Sequence, residues 1–267
     1  MKISKKIICS LLILTLFGML LNKAEASMII PKSVAQQIEM LGFEPSEKGF
    51  FDAARKGNVP VLGLFAEANA YINMRDDTGK TPVFYAAAAG KAKAVKFLLL
   101  CGADINARDE NLKSPLMAAI DAKSFETAKL LIDMNANLKV SDDYGYTPLH
   151  YAVFNNQKEL VQVIANRFCE IDATDNEGNT PLYYAVDTNK DIISFLLNAG
   201  ADINNANEDG KTALHKAVIT NNGEIVKFLV ESGANVNIKD LKGKYPINYA
   251  EKNSPVYLFL IESGAKI

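Results

Sequence analysis

The sequence predicts an all-α solenoid of helix-turn-helix units with β-hairpin tips, about seven units in all. Three observations predict it. First, the stretch Thr147-Pro148-Leu149-His150-Tyr151-Ala152 recurs: with the Thr as register, equivalents fall at Thr81, Ser114, Thr180, Thr212 and Tyr245, at spacings of 33, 33, 33, 32 and 33 residues. A fixed period of this length marks stacked supersecondary units. Second, each recurrence carries helix-start chemistry. Third, the segments between copies are short polar runs of Asp, Asn and Gly, which read as extended arms around a tight turn.

The helix start follows from two residues. A Thr hydroxyl at an N-cap accepts a bond from an unpaired helix N–H, and a Pro at the next position gives up a donor that would have no partner there. The apolar residue after the Pro (Val83, Leu116, Leu149, Leu182, Leu214, Ile247) and the Ala three further on (Ala86, Ala119, Ala152, Ala185, Ala217, Ala250) share one helix face. The small Ala lets neighbouring helices approach closely. Gly90 closes the first full copy of this helix, a second begins near Val95, and Gly102 suits the left-handed position that ends it.

This order of parts resembles the ankyrin repeat over residues 48–267. The marks are Thr-Pro-Leu-His at Thr147–His150, Thr-Ala-Leu-His at Thr212–His215, and the Gly-Ala-Asp/Asn-aliphatic-Asn runs at Gly102–Asn106, Gly200–Asn204 and Gly233–Asn237. Three positions depart from the pattern. Asn135 and Phe168 stand where the second Gly belongs, and Tyr245 replaces the Thr, so less regular helix ends are expected there.

Taken from the start, Met1 to Lys6 is basic, Ile7 to Leu21 is a run of 15 mostly apolar residues, and Ala24-Glu25-Ala26 is a small-x-small mark. These features in order describe a secretory signal peptide over residues 1–26, cleaved after Ala26. A retained anchor is the alternative, but the run falls short of the roughly 20 residues that span hydrocarbon. Cys9 precedes the apolar core, which argues against lipoprotein acylation. The expected destination is the periplasm or the medium of a bacterial cell, with no membrane insertion after cleavage.

Residues 27–47 read as an N-terminal cap. Pro31 to Phe43 forms a short helix with Ser33 at its N-cap, Val34, Ile38 and Leu41 on one face, and Gly42 as the stop. An open stack needs such a cover for its first apolar face. Lys48 to Asp77 is a degenerate first repeat, with Phe51, Ala53, Ala54 and Gly57 in register but no Thr-Pro. Full copies begin at Thr81, Ser114, Thr147, Thr180 and Thr212. The Thr180 copy is one residue short between Ala185 and Ile192, where a helix connection absorbs the change. The last copy, Tyr245 to Ile267, is also shortened, with Ser254-Pro255 starting its second helix.

Composition excludes several function classes. Removing residues 1–26 takes away four lysines and one glutamate, leaving 25 basic and 30 acidic side chains, a net charge of −5. Such a chain, with Arg only at 55, 75, 108 and 167, lacks the basic footprint that nucleic acid demands. An anionic membrane surface is disfavoured for the same reason. Cys101 and Cys169 lie two repeats apart, too far to bridge, and read as free packing residues.

No catalytic machinery is visible. The two histidines, His150 and His215, occupy the fourth position of the repeated motif, where resemblance to the family implies a structural role around the helix start. Neither is left to serve as a base for a nucleophile. Asn205-x-Asn207-x-Asp209-Gly210 copies the front of a calcium loop, but Lys216 stands where the bidentate Glu belongs. Asp76, Asp109, Asp142, Asp175 and Asp240 recur five residues before the register position and read as turn chemistry. No cofactor and no metal are expected.

Two features remain for recognition. The tips carry Asp77, Glu110, Asp143, Glu177, Glu208 and Asp209, either as ligand contacts or as a solvated edge that blocks strand pairing. Tyr85, Tyr151, Tyr184 and Tyr249 share one helix offset, either facing a groove or packing between repeats. Tyr144, Tyr146 and Phe154 add an aromatic cluster at the centre, and the resemblance implies that the Phe154 offset faces the groove. The resemblance implies a monomeric scaffold that binds another protein through its concave helix-and-hairpin face. The expected site is Tyr144, Tyr146, Phe154 and Tyr151, with Asp143, Asp121 and Glu177 steering a basic partner. The alternatives are an enzymatic or metal-dependent envelope factor using the acidic tips, and a purely architectural envelope protein.

Overall fold

The computed structural model describes residues 28–167 and 169–267, in two compact units divided between Ile105 and Asn106. The signal-peptide reading, its cleavage point and Phe168 lie outside the described residues.

The first unit holds α1 (Lys32–Met40), α2 (Glu47–Lys56), α3 (Val59–Glu67), α4 (Pro82–Ala88) and α5 (Ala92–Leu100). Helix α2 packs on α4 and α3 on α5, while α1 lies against α3. Phe50, Leu62, Phe65 and Leu98 are fully buried, with the Phe50 and Phe65 rings 5.0 Å apart. Burial of each such side chain stabilises by roughly 1.5–3 kcal/mol. Ser46 caps α2 by accepting from the Gly49 N–H at 3.3 Å, and the Thr81 hydroxyl does the same for Phe84 at 3.4 Å.

Helix α1 corrects the sequence expectation in two ways. It starts one residue before Ser33, because Pro31 at φ −56° already sets the entry without a side-chain cap. It ends at Met40, so Leu41 falls beyond the last turn and is 49 % exposed, leaving Ile38 as the buried contact.

The second unit holds α6 (Pro115–Asp121), α7 (Phe125–Asp133), α8 (Pro148–Phe154), α9 (Lys158–Ala165), α10 (Pro181–Ala185), α11 (Lys190–Asn198), α12 (Ala213–Ile219), α13 (Gly223–Glu231), a 3-10 turn (Pro246–Tyr249) and α14 (Pro255–Glu262). First helices pack in series: α6 on α8, α8 on α10, α10 on α12, and α12 on the 3-10 turn. Second helices do likewise, α7 on α9, α9 on α11 and α13 on α14. Leu116, Leu149, Leu182, Leu214 and Ile247, with Ala119, Ala152, Ala185 and Ala217, are buried on the shared face. The Ser114, Thr180 and Thr212 hydroxyls accept from the third N–H of their helices at 3.3–3.4 Å.

Local departures have local causes. The missing residue of the Thr180 copy shortens the helix itself, since α10 stops at Ala185 and Asn189 caps α11. Asn135 takes φ +64°, doing the work of the absent glycine, so that helix end stays regular. Tyr245 supplies no cap to its own helix, and the last copy narrows to a 3-10 turn. Ser254 and Pro255 start α14 as the spacing predicts, with Tyr257 N–H donating to Ser254 Oγ at 3.2 Å.

The tips are turns, and among the described residues no segment is a strand. Neighbouring tips share single backbone bonds: Asp143 N–H to the Asn111 carbonyl at 3.2 Å, Asn176 N–H to the Tyr144 carbonyl at 2.9 Å, Glu208 N–H to the Glu177 carbonyl at 3.0 Å. One backbone bond per junction does not make a ladder, and side-chain amides such as Asn176 Nδ2, donating to the Asp143 carbonyl at 2.8 Å, supply the rest. Gly145, at φ +85°, marks a close approach of two tips, because a Cβ there would sit 2.7 Å from the Asp175 Cα, and Gly178 does the same toward the Glu208 amide nitrogen at 2.7 Å.

A second series links copies in the segments that follow their second helices. Asn106 Oδ1 accepts the Asn137 N–H at 2.8 Å, Asn204 that of Asn235 at 2.8 Å, and Asn237 that of Lys266 at 2.7 Å. Asp172 does the same for Asp202 at 3.0 Å. At the remaining position the Asn is replaced by Lys139, whose ammonium reaches Glu170 at 3.7 Å.

The aromatic cluster as a candidate interaction site

The repeated motif fixes the shared-offset tyrosines by chemistry internal to each copy. Asp142 Oδ1 accepts the Tyr144 and Tyr146 N–H groups at 3.0 and 2.9 Å, closing the turn. Its Oδ2 accepts the Tyr151 hydroxyl at 2.6 Å. The same lock joins Tyr184 to Asp175 at 2.5 Å, Tyr85 to Asp76 and Tyr249 to Asp240. Burial raises the phenol pKa of all but Tyr249 first, whereas there the bond to Asp240 leads and burial adds to it. Burial works against the carboxylates of Asp76, Asp175 and Asp240, but the phenol and the turn amides outweigh it and hold them below their usual range.

Tyr151 is therefore corrected from surface residue to lock. It is 6 % exposed, and its hydroxyl is committed to Asp142. The turn reading of the recurring Asp holds throughout. Asn207, in the calcium-like stretch, likewise spends Oδ1 on the Asp209 and Lys211 N–H groups at 3.1 and 2.9 Å.

The histidines are structural. His150 Nδ1 lies 3.2 Å from the Thr147 N–H and 2.9 Å from its hydroxyl, so it accepts and the proton sits on Nε2, which donates to the Asn179 carbonyl at 3.2 Å. His215 repeats this with Thr212 and the Lys244 carbonyl. Burial lowers the His150 pKa to about 4 and that of His215 in the same direction. Cys101 and Cys169 are free and half-buried, and burial raises both thiols.

Around α8 the rings assemble about Tyr146. Its centroid is 4.9 Å from Phe154 at 87°, 6.0 Å from Tyr184 at 80°, 5.8 Å from His150 and 6.5 Å from Tyr151. The contacts to Phe154, Tyr184 and Tyr151 are edge-to-face, a favoured geometry for aromatic pairs worth about 0.5–1.5 kcal/mol each beyond area. Tyr146 is thus the packing hub, half-buried. Two rings at its margin stay in solvent: Tyr144, 67 % exposed and stacked on Tyr146 at 6.0 Å and 26°, and Phe154, 41 % exposed.

Charges frame this patch. Asp143 and Glu177 are exposed on adjoining tips, and Asn179 Nδ2 donates to Glu177 Oε2 at 3.2 Å. Asp121, exposed at the end of α6, pairs with Lys113 at 3.1 Å and reaches Asn155 at 3.4 Å. The lysines are what sequence reasoning missed. Lys113 sits 4.8 Å over the Tyr151 ring, and Lys216 sits 4.6 and 4.8 Å over Tyr183 and Tyr184 while pairing with Asp187 at 2.7 Å. Lys216 occupies the offset where other copies carry the locked Tyr, and that substitution was the available signal.

The family profile described as "Ankyrin repeats (3 copies)" matches in overlapping windows from residue 50 to residue 267, and the chain belongs to the ankyrin repeat family. The crystal structure of the human ASB11 ankyrin repeat domain is similar in fold, with a TM-score of 0.70 and 24 % identity over 82 % of this chain and 98 % of that one. The crystal structure of the ankyrin repeat domain of Bcl-3, described as a unique member of the IkappaB protein family, gives a TM-score of 0.72 and 27 % identity, covering 80 % of this chain and 97 % of that one. No curated protein sequence matches this chain. Ankyrin repeat domains generally mediate protein–protein interaction.

Proposed function

We propose that this chain is an exported ankyrin-repeat scaffold, without catalytic activity, that binds a basic segment of another protein through the surface around Tyr144 and Phe154. The observation that carries the reading is the exposure of these two rings. The hub beneath them is already closed by Tyr146, Tyr151, Tyr184 and His150, so packing does not require Tyr144 to be aromatic. Tyr is among the residues favoured at the energetic centre of interfaces, and adjoining acids raise the on-rate of a basic partner. Asp143 and Glu177 supply that charge. Tip-to-tip bonds fix the backbone of the patch before a partner arrives, which lowers the ordering cost of binding.

Export rests on the order basic, apolar, small-x-small within residues 1–26, with delivery to the periplasm or medium of a bacterial cell. Intact-mass measurement on exported protein should give an N-terminus at Ser27, and a membrane-bound species retaining residues 1–26 would sink this part. Pulldown with the tagged chain from the exporting cell's envelope and medium tests the rest. A single stoichiometric protein, released by salt, is expected. Recovery of none, with the chain correctly delivered, would favour an architectural role.

A further inference from the structure

The second unit carries three sets of aromatic ring plus carboxylate, and two of them already hold a cation. In one, Lys113 lies over Tyr151 at 4.8 Å and pairs with Asp121 at 3.1 Å. In another, Lys216 lies over Tyr183 and Tyr184 at 4.6 and 4.8 Å and pairs with Asp187 at 2.7 Å. Lysines also cover rings without such a carboxylate pair, Lys190 over Phe228 at 4.6 Å, and Lys239 and Lys244 over Tyr245 and Tyr249 at 5.0 and 5.1 Å. A cation over a ring face within about 6 Å is attracted by the ring's quadrupole, by about 0.5–1 kcal/mol at exposed sites.

The third set is Tyr144 stacked on Tyr146, with Asp143 before it in the chain and Glu177 on the adjoining tip. The tips are pinned together, since Asn176 N–H donates to the Tyr144 carbonyl at 2.9 Å and Asn176 Nδ2 to the Asp143 carbonyl at 2.8 Å. Glu177, the next residue, is thereby held beside the Tyr144 backbone. Among the described residues no lysine or arginine covers the Tyr144 ring, and none pairs with Asp143 or Glu177. It is also the most exposed ring of the cluster.

We propose that Tyr144 is the seat of an arginine side chain of the partner protein, with Asp143 and Glu177 taking its guanidinium. This assignment rests on the partner-binding reading above and names the chemistry of the residue that anchors it. Arginine rather than lysine follows from shape. A planar, weakly hydrated guanidinium lies flat on an open ring while its fork reaches a carboxylate at the edge, whereas an ammonium keeps its water. The two internal lysines reach their rings along the surface of the same chain, so their ordering needs no second molecule. The third seat is at a tip, facing solvent.

The test uses the purified protein with fluorescein-labelled hexaarginine, hexalysine and hexacitrulline peptides at low salt, read by polarisation and by NMR of ring-labelled tyrosines. Hexaarginine should bind at least about threefold more tightly than hexalysine, shifting the Tyr144 ring resonances first, and hexacitrulline should not bind. Tyr144→Leu should equalise the two basic peptides, and Tyr144→Phe should keep the preference. Equal affinity for the two in the parent, no binding of either, or a preference that survives Tyr144→Leu overturns the assignment. A parent chain without the preference that still loses its partner when Tyr144 is removed keeps the binding reading and loses only the arginine.

Discussion

The Tyr151 hydroxyl donates to the Asp142 carboxylate at 2.6 Å across nine residues of sequence, joining the helix that starts a repeat to the turn that precedes it. Both groups are buried, and Asp142 also closes the turn through the Tyr144 and Tyr146 amides. The tip that displays Tyr144 is thus tied to the helix core by a charge-assisted bond.

Tyr151→Phe removes the donor and leaves a buried carboxylate oxygen without it. The expected cost is about 1.5–3 kcal/mol in a denaturant titration. Tyr249→Phe, in the terminal copy where solvent reaches the lock, should cost less. Equal and negligible effects would mean the bond is geometric coincidence.

His150 sets a pH dependence. Its pKa is lowered from an ordinary value near 6.5 to about 4 in the fold, so between those values the unfolded chain binds a proton that the folded chain refuses. Stability is full above pH 6.5 and falls as pH drops toward 4, by about 2 kcal/mol between pH 7 and 5. His215 adds in the same direction. His150→Asn should flatten the profile, because Asn248 already does this job at Tyr245, accepting its N–H at 2.8 Å. A variant with the parent's slope would assign the effect to other groups.

Lys139→Asn should stabilise. At the equivalent position Asn106 Oδ1 takes the N–H 31 residues on at 2.8 Å, whereas Lys139 offers only an exposed ion pair with Glu170 at 3.7 Å, which contributes little. Restoring the amide acceptor is expected to add about 0.5–1 kcal/mol. A lower melting temperature for the variant would show that the Lys139–Glu170 pair matters more than the bond it displaces.

The sequence made the repeat legible because its chemistry is local. The Thr or Ser cap, the Pro, the buried Leu and Ala, and the turn Asp each act within about ten residues, so a one-dimensional pattern exposes them. Tyr151 was misplaced because an offset alone does not say whether a ring faces a groove or bends back toward its own turn. The co-occurrence of Asp142 with Tyr151, of Asp175 with Tyr184, and the joint change to Asn207 with Lys216, pointed to the lock, although Asp109 closes its turn with Ala118 at that offset. The lysines over the rings were not legible, since Lys113 and Lys216 reach tyrosines in neighbouring copies and their targets depend on how the copies stack. Strands expected at the tips failed for a related reason: isolated backbone bonds and side-chain amides between tips set the geometry, and no alternating pattern reports them.

The central claim is that Tyr144, beside the exposed edge of Phe154, is displayed for a partner and is not needed for the fold. Phe154 also packs on Tyr184 at 4.7 Å and on Tyr146 at 4.9 Å, so it is left in place. The most direct measurement is the dissociation constant of the Tyr144→Ala chain for the partner recovered by pulldown, taken beside its melting curve. The account predicts affinity weakened at least about tenfold, roughly 1.4 kcal/mol, with a melting temperature close to the parent's. Unchanged affinity, or a markedly lower melting temperature, would contradict it and make this ring part of the packing.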